Sequence, residues 1–495
     1  DSLSKRRGGS CIATTTLAGV GAAFVAWSWP SSRLSTIPSI AWEDVQRSGT
    51  LPRTPALLRA SPMQTWWEAN RTAWAVPTLI ARATTTSDGN YKVNLQWQDG
   101  AEEFMPHKGL ESNGVTTPLF SSGIRTLREA VSVLWGNQAN GTRYYLAADI
   151  EDLPPSISLP VTEFLPAACV FDERFEGGVS GVWPTDVAPD RAHCRGLRSN
   201  LWFGAKGTAA GMHFDLSNNL FFQADGRKTF RLLPPSAHRA LRLHPSWHGS
   251  HLAARVQPSD ANFAALGGHE VTLDAGDVLF LPSGWFHRVR SVSHSVGLNV
   301  WTDSLAKDVW HVLLTDEARF DALLAGCAPS ADTSTTMLFR CARACLRALH
   351  VELLRHETGV AVSAGARLAE HAAGILTARY SDVRWVETVP AFATSSSSAA
   401  IASVTRSCDA SVRDEDGLPP LELSSAQRAI VSEYALALGR LDDAGLRSLL
   451  LDELVEEISM HVLGIGRNQG GRSDIAPGGA ASVESFLRHC LVRRG

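Results

Sequence analysis

Two histidines and one aspartate stand in a pattern that suits a metal ion. His213 and Asp215 are two residues apart, so in a β-strand both side chains would leave the same face. His287 comes much later, directly after the stretch 279–286. Two imidazoles and one carboxylate on one face of an iron form the facial triad, which leaves positions open for a cosubstrate and O2. We therefore predict that His213, Asp215 and His287 bind Fe(II) and are the catalytic residues.

A lysine is expected inside the strand that follows the first two ligands. Lys228, Phe230 and Leu232 alternate with Thr229 and Arg231, and this alternation places the ammonium group on an otherwise apolar inward face. Burying an ammonium group there is costly unless an anion pairs with it. The pattern therefore predicts an anionic ligand beside Lys228. The far carboxylate of a 2-oxo acid that chelates the iron would be such an anion.

Three blocks of sequence surround these residues. The first covers 199–215, the second contains Gly-Asp-Val-Leu-Phe-Leu-Pro at 276–282, and the third covers 295–301. Together they resemble the core of the JmjC (cupin-8-like) dioxygenases, with the nearest likeness to the asparaginyl hydroxylase that inhibits hypoxia-inducible factor. The resemblance implies that the chain uses Fe(II), O2 and the cosubstrate 2-oxoglutarate, with Lys228 binding the cosubstrate.

The resemblance also suggests further residues that contact the cosubstrate, with one departure. A Ser or Thr often stands three residues before the first ligand histidine in the family, and here that position is Ala210. Thr208 is the nearest hydroxyl, and Tyr145 could supply another, as a tyrosine does in the asparaginyl hydroxylase. Asn219 and Asn299 face inward by alternation and would orient the cosubstrate. Losing one neutral hydrogen bond costs on the order of 1 kcal/mol, so we expect weaker cosubstrate binding rather than none.

These motifs require a fold that brings distant strands together. We predict a mainly β protein with some α structure, whose core is a double-stranded β-helix (jelly roll or cupin) with flanking helices and a C-terminal helical region. Three parts are expected along the chain. They are an N-terminal tail over 1–40, a JmjC/cupin-like catalytic domain over 41–302 and a helical region over 303–495. Apolar spacing also predicts a helix over 123–135.

Helices dominate the sequence after the third block. The run 304–324 is amphipathic, Ser424 with Gln427 resembles a capping box, and 442–463 carries apolar residues at helical spacing. In the asparaginyl hydroxylase, C-terminal helices form the dimer interface. The resemblance therefore suggests a homodimer through these helices, and the alternative is that they only cover the barrel.

Composition bounds the class of protein. The chain has 495 residues, of which 44% are hydrophobic and 19% charged, as in globular proteins of two or three domains. A net charge of −4 provides no basic surface for nucleic acid, so no nucleic-acid partner is expected.

The first residues contain a candidate targeting segment. Residues 11–29 are uncharged and follow the basic residues 5–7, which favours a single-pass signal anchor with a lumenal body. A cleaved targeting segment, with a soluble cytoplasmic or organelle-targeted protein, is the alternative, and a buried helix is a third. Glycosylation sequons at Asn70 and Asn140 agree with a lumenal body but are within chance.

The leading functional prediction is an Fe(II)- and 2-oxoglutarate-dependent oxygenase that hydroxylates a side chain of a protein or peptide substrate. The lack of a basic surface and of methyl-lysine reader modules favours a hydroxylase over a histone or protein lysine demethylase of the same family, which is the first alternative. A non-catalytic cupin-fold binding protein is the second alternative, and only Ala210 favours it.

Overall fold

The computed structural model describes residues 36–99, 103–104, 121–136, 142–157, 165–173, 197–244, 246, 251–325, 335–356, 375, 379 and 421–462. The candidate anchor at 11–29 lies outside these residues, so the predictions of a membrane span and of its location remain predictions. Within the described ranges, no helix is both long enough and apolar enough to cross a bilayer.

In the described part of the chain, the larger of two β-sheets contains nine strands. In spatial order they are Ser39–Ala41 (β1), Ala56–Arg59 (β2), Val278–Leu281 (β12), Asn218–Asp225 (β9), Ser295–Thr302 (β14), Arg198–Gly204 (β7), Thr142–Asp149 (β6), Lys92–Asp99 (β3) and Ser121–Thr126 (β5). Strand β9 lies between β12 and β14 and is antiparallel to both. All three blocks of the sequence motif therefore contribute strands to one sheet.

The smaller sheet contains five strands among the described residues. In spatial order they are His269–Leu273 (β11), Lys228–Leu233 (β10), Phe286–Ser291 (β13), Ala209–Phe214 (β8) and Glu103–Phe104 (β4). One apolar cluster joins Phe221 and Leu279 of the larger sheet to Phe230 and Leu232 of the smaller sheet. The two sheets therefore face each other across a shared core, and the predicted jelly-roll fold with flanking helices is confirmed.

Strand β10 shows how the sequence pattern places side chains inside. Lys228, Phe230 and Leu232 are each at most 1% exposed, whereas Thr229 and Arg231 on the other face are partly exposed. The alternation expected for a strand with one buried face is thus confirmed. Strand β8 differs because it is buried along its whole length.

Four helices of the described residues precede the first ligand motif. Their bounds are Trp42–Ser48 (α1), Pro62–Trp74 (α2), Val76–Thr85 (α3) and Leu127–Trp135 (α4). The helix predicted over 123–135 starts at Leu127, because residues 121–126 pair with β3 as a strand. Thr126 and Glu129 form a capping box at that start: the Thr126 side chain accepts from the Glu129 N–H, and the Glu129 carboxylate accepts from the Thr126 N–H.

Seven further helices of the described residues follow β10. They are His238–Leu241 (α5), Asp260–Ala265 (α6), Leu305–Leu314 (α7), Glu317–Leu323 (α8), Thr335–Arg355 (α9), Ser425–Gly439 (α10) and Ala444–Val462 (α11). The amphipathic run 304–324 is thus two helices rather than one, and the predicted capping box of Ser424 and Gln427 is present.

The C-terminal helices cover the outer face of the smaller sheet. Met212 and Phe214 of β8 share one apolar cluster with Leu438 of α10 and with Leu449 and Leu450 of α11. This packing explains why β8 is buried on both faces. The homodimer suggested for these helices remains a prediction.

Candidate metal centre

The two histidines of the predicted triad are cross-strand neighbours. His213 on β8 lies directly opposite His287 on β13 in the antiparallel register. Their ring centroids are 4.2 Å apart with an interplanar angle of 53°. The strand pairing therefore brings together two imidazoles that are far apart in the sequence.

Backbone carbonyl groups set the orientation of both imidazole rings. Nδ1 of His213 lies 2.7 Å from the carbonyl oxygen of Gly211, and Nδ1 of His287 lies 3.1 Å from that of Trp285. A carbonyl oxygen only accepts, so each Nδ1 carries the proton and donates it. Each Nε2 is then an unprotonated nitrogen that can bind a metal, as expected for histidine ligands held by a second hydrogen bond.

The carboxylate of Asp215 completes the group. Asp215 follows β8 directly instead of lying within it, and its Oδ2 is 3.7 Å from Nε2 of His287. Candidate ligand atoms of the three residues all lie within 4.8 Å of one another, and no other such group occurs among the described residues. Two nitrogen donors and one carboxylate oxygen at this spacing fit the ligand set of an Fe(II) facial triad.

The environment also favours the neutral form of the first ligand. Burial lowers the pKa of His213 to about 4, and the neighbouring His287 acts in the same direction, against the carboxylate of Asp215. His213 is therefore uncharged at neutral pH, which is the form that coordinates metals.

A chain of directed hydrogen bonds ends on the Asp215 carboxylate. The indole N–H of Trp202 donates to Oδ1 of Asn299 at 2.6 Å, and Nδ2 of Asn299 donates to Oδ1 of Asn219 at 3.4 Å. Nδ2 of Asn219 then donates to Oδ2 of Asp215 at 3.2 Å, and the indole of Trp301 donates to the same oxygen at 3.0 Å. These contacts fix the orientation of the carboxylate.

A cavity opens beside the triad. Its lining residues come from both sheets. They are Tyr145, Trp202, Ala210, His213, Asp215, Asn219, Phe221, Phe230, His287, Val289, Asn299 and Trp301. Six of the predicted site residues thus meet there with four further aromatic side chains, which would exclude water from a ligand beside the metal.

Lys228 is buried beside this cavity, against two of the aromatic rings that line it. Its Nζ is 5.5 Å from the ring centroid of Tyr145 and 5.5 Å from that of Phe221. Among the described residues, no carboxylate forms an ion pair with it, and burial lowers the pKa of Lys228 to about 7. The lysine is therefore a buried base whose charged form an anion in the cavity would stabilise.

The two predicted hydroxyl donors are placed differently. Tyr145 lines the cavity, and burial raises the pKa of its phenol, so the phenol stays protonated and can donate. Thr208 is buried, but its hydroxyl donates to the carbonyl oxygen of Tyr144 at 3.3 Å, and it does not line the cavity. Ala210 lines the cavity with its methyl group.

Sequence reasoning missed the roles of the two tryptophans. In the sequence, Trp202 and Trp301 stand out only as members of the motif blocks. Their side chains can donate one hydrogen bond each and accept none. Trp301 stands two residues after Asn299 in β14. The alternation of a strand therefore predicts that Asn299 and Trp301 face inward together.

The profile of one domain family matches this architecture. The family described as cupin-like domain matches residues 44–308, which include every described strand except β1 and the complete triad. The chain belongs to this family, the JmjC-like cupins.

Curated relatives match shorter stretches. The chain is 34% identical over 143 residues to the lysine-specific demethylase JMJ31 of Arabidopsis thaliana, which is 27% of this chain and 26% of that protein. It is 30% identical over 160 residues to the HSPB1-associated protein 1 of Mus musculus, with 30% of this chain and 32% of that protein covered. A tRNA wybutosine-synthesizing protein 4 of Gibberella zeae is 28% identical over 186 residues, 37% of this chain and 17% of that protein. The chain thus spans a third or less of the length of each of these relatives.

Proposed function

We propose that the protein is an Fe(II)- and 2-oxoglutarate-dependent oxygenase. The observation that carries this proposal is the coexistence of the His213, Asp215 and His287 triad with the buried ammonium of Lys228, which has no ion-pair partner among the described residues. The open positions of such a metal site suit the chelating 2-oxo acid group at one end of a ligand. The buried cation suits a carboxylate at the other end of the same ligand.

Each residue then has a defined part in the reaction. His213, Asp215 and His287 would hold Fe(II), which supplies the activation of O2 that organic side chains cannot provide. Lys228, with Tyr145, would bind the far carboxylate of the cosubstrate. The aromatic cavity wall would exclude water from the reacting groups, and Asn219 and Asn299 would orient the cosubstrate through their amides. Thr208 remains a predicted contact, although its hydroxyl is engaged by the backbone.

Hydroxylation of a protein side chain is the proposed reaction. The relatives include a lysine-specific demethylase, an HSPB1-associated protein and a tRNA wybutosine-synthesizing protein. These matches are therefore compatible with more than one substrate class. The absence of a basic balance in the sequence supports a protein or peptide substrate over a nucleic acid. The specific likeness to the asparaginyl hydroxylase remains a prediction.

Lysine demethylation is the second candidate, because a lysine demethylase is among the relatives at 34% identity. Both reactions begin by hydroxylating a C–H bond, and they differ in whether the product keeps the new oxygen. Mass spectrometry of peptides incubated with the enzyme separates them. A gain of one oxygen atom indicates hydroxylation, and the loss of a methyl group indicates demethylation.

The oxygenase assignment is tested by cosubstrate turnover. Purified protein supplied with Fe(II), ascorbate and 2-oxoglutarate should release succinate, and the His213→Ala variant should not. Titration of Mn(II) and then of 2-oxoglutarate provides a second measurement that does not need a substrate. A wild-type protein that binds neither the metal nor the 2-oxo acid would support the non-catalytic cupin-fold alternative instead.

A further inference from the structure

A buried hydroxyl lies beside the buried lysine. Ser291 on β13 is directly opposite Lys228 on β10 in the antiparallel register, and the two residues are 2% and 1% exposed. Residues directly opposite each other on neighbouring strands have Cβ atoms about 4.5–5.5 Å apart. The two side chains therefore leave neighbouring positions on the same face of the smaller sheet.

Both side chains point across the gap toward the larger sheet. Nζ of Lys228 lies over the rings of Tyr145 and Phe221, which belong to that sheet. The hydroxyl of Ser291 faces Gly204 on β7, where an added Cβ would lie 2.3 Å from Oγ of Ser291. Because Gly204 has no side chain, the inter-sheet space has room for this hydroxyl beside the ammonium group.

The Ser291 hydroxyl has a proton to donate. Its oxygen accepts a hydrogen bond from Oγ of Ser295 at 3.2 Å, and no described residue accepts the proton of Ser291. Buried hydroxyl donors are normally satisfied by a partner. A buried donor next to a buried ammonium group therefore matches an anionic acceptor that occupies the space between the sheets.

We propose that Ser291 donates a hydrogen bond to the far carboxylate of the 2-oxo acid. This inference rests on the proposed function and assigns the hydroxyl that is missing at Ala210. Val289 pairs with Ala210 and lies two residues before Ser291, so both have inward-facing side chains on the same strand. In this chain the proposed hydroxyl donor therefore lies on β13, opposite Lys228, and not at the position of Ala210 on β8.

Calorimetric titration with Mn(II) in place of Fe(II) tests the assignment without turnover. The wild-type protein should bind Mn(II) and then 2-oxoglutarate, and Ser291→Ala should raise the Kd for 2-oxoglutarate about tenfold, the effect of removing one hydrogen bond to a charged group. The matched control ligand is 2-oxobutanoate, which has the same 2-oxo acid group but no far carboxylate. Its Kd should be the same for both proteins. Adding Ala210→Thr to Ser291→Ala should restore most of the lost affinity.

Three results would overturn the assignment. They are an unchanged Kd for 2-oxoglutarate in Ser291→Ala, an equal loss for both ligands, or a wild-type protein that binds Mn(II) but no 2-oxoglutarate. The first two leave the oxygenase proposal intact, whereas the third removes both. If Ser291→Ala does not fold, Ser291→Cys keeps most of the side-chain volume while replacing the hydroxyl with a weak donor, and the same comparison of ligands applies.

Discussion

The indole nitrogen of Trp301 donates a hydrogen bond to Oδ2 of Asp215 at 3.0 Å. Asp215 lies just beyond the end of β8, and its backbone carbonyl oxygen accepts a hydrogen bond from the Gly284 N–H. The indole of Trp301, which belongs to the opposite sheet, therefore takes part in holding the one carboxylate of the triad. Contacts of this kind orient metal ligands and affect affinity without touching the metal.

Removing this donor should weaken metal binding. We expect Trp301→Phe to raise the Kd for Mn(II) by about 10-fold to 100-fold, because it deletes the N–H while keeping an aromatic ring. Trp67→Phe is the matched control, since its indole donates to the carbonyl oxygen of Ala224 and not to a group of the metal centre. Calorimetric titration measures both. Equal effects in the two variants would show that the contact between Trp301 and Asp215 has no special role.

Loss of either histidine should abolish metal binding but not folding. In His213→Ala and His287→Ala, only one imidazole and one carboxylate remain, whereas the apolar core between the sheets is unchanged. Metal content after incubation with Fe(II) under anaerobic conditions should fall to background, with a native far-ultraviolet circular dichroism spectrum. Full metal occupancy in either variant would contradict the site.

Lys228→Ala should raise the 2-oxoglutarate concentration needed for half-maximal turnover. A charge-assisted contact is worth roughly 1.5–3 kcal/mol, which is about one to two orders of magnitude in affinity. Lys206→Ala is the control because that lysine is exposed. Ala210→Thr should lower the requirement modestly by restoring a hydroxyl. An unchanged requirement in Lys228→Ala would mean that another cation binds the carboxylate.

Binding of the cosubstrate should take up a proton above neutral pH. Burial lowers the pKa of Lys228 to about 7, so the free protein holds this amine largely uncharged at higher pH, and a carboxylate favours the ammonium form. Affinity for 2-oxoglutarate should therefore fall as the pH rises above about 7, by at most about tenfold per pH unit. Calorimetry at about pH 8 in two buffers of different ionisation enthalpy measures the uptake, and Lys228→Met should show none from this group.

The lowered pKa of Lys228 also makes the free energy of unfolding depend on pH. Between the lowered pKa of Lys228 and its ordinary value, the unfolded chain binds more protons than the folded protein. In the absence of ligand, the contribution of Lys228 to the stability of the fold therefore increases as the pH rises through this window.

A buried ion-pair cluster should be essential for stability. The guanidinium of Arg379 contacts Glu456 and, at 2.5 Å, Glu453, both on α11, and all three residues are buried. Arg379→Met leaves both glutamates buried without this charge, so we expect a loss of about 3–5 kcal/mol in the free energy of unfolding. Urea denaturation measures it. The control Arg239→Met, whose half-exposed guanidinium pairs with Asp452, should lose less, and a reversed order would contradict this account.

Much of the core could be predicted from local patterns. The alternation in β10 predicted that Lys228 is buried, because a strand with one inward face has a period of two. The capping box at Ser424 was also predictable, since its two partners are three residues apart. The helix over 123–135 was placed too early, because the pairing of residues 121–126 with β3 depends on a strand that lies earlier in the chain.

The sequence by itself determined which residue types carry the chemistry: two histidines, one aspartate and one inward lysine, within motif blocks that resemble one family. Tertiary structure decided how they meet. The register between β8 and β13 sets His213 opposite His287, and the opposite sheet supplies the Trp301 indole to Asp215. The register between β10 and β13 likewise sets Ser291 opposite Lys228. Such contacts join residues far apart in the chain, so they depend on strand pairing and not on any local pattern.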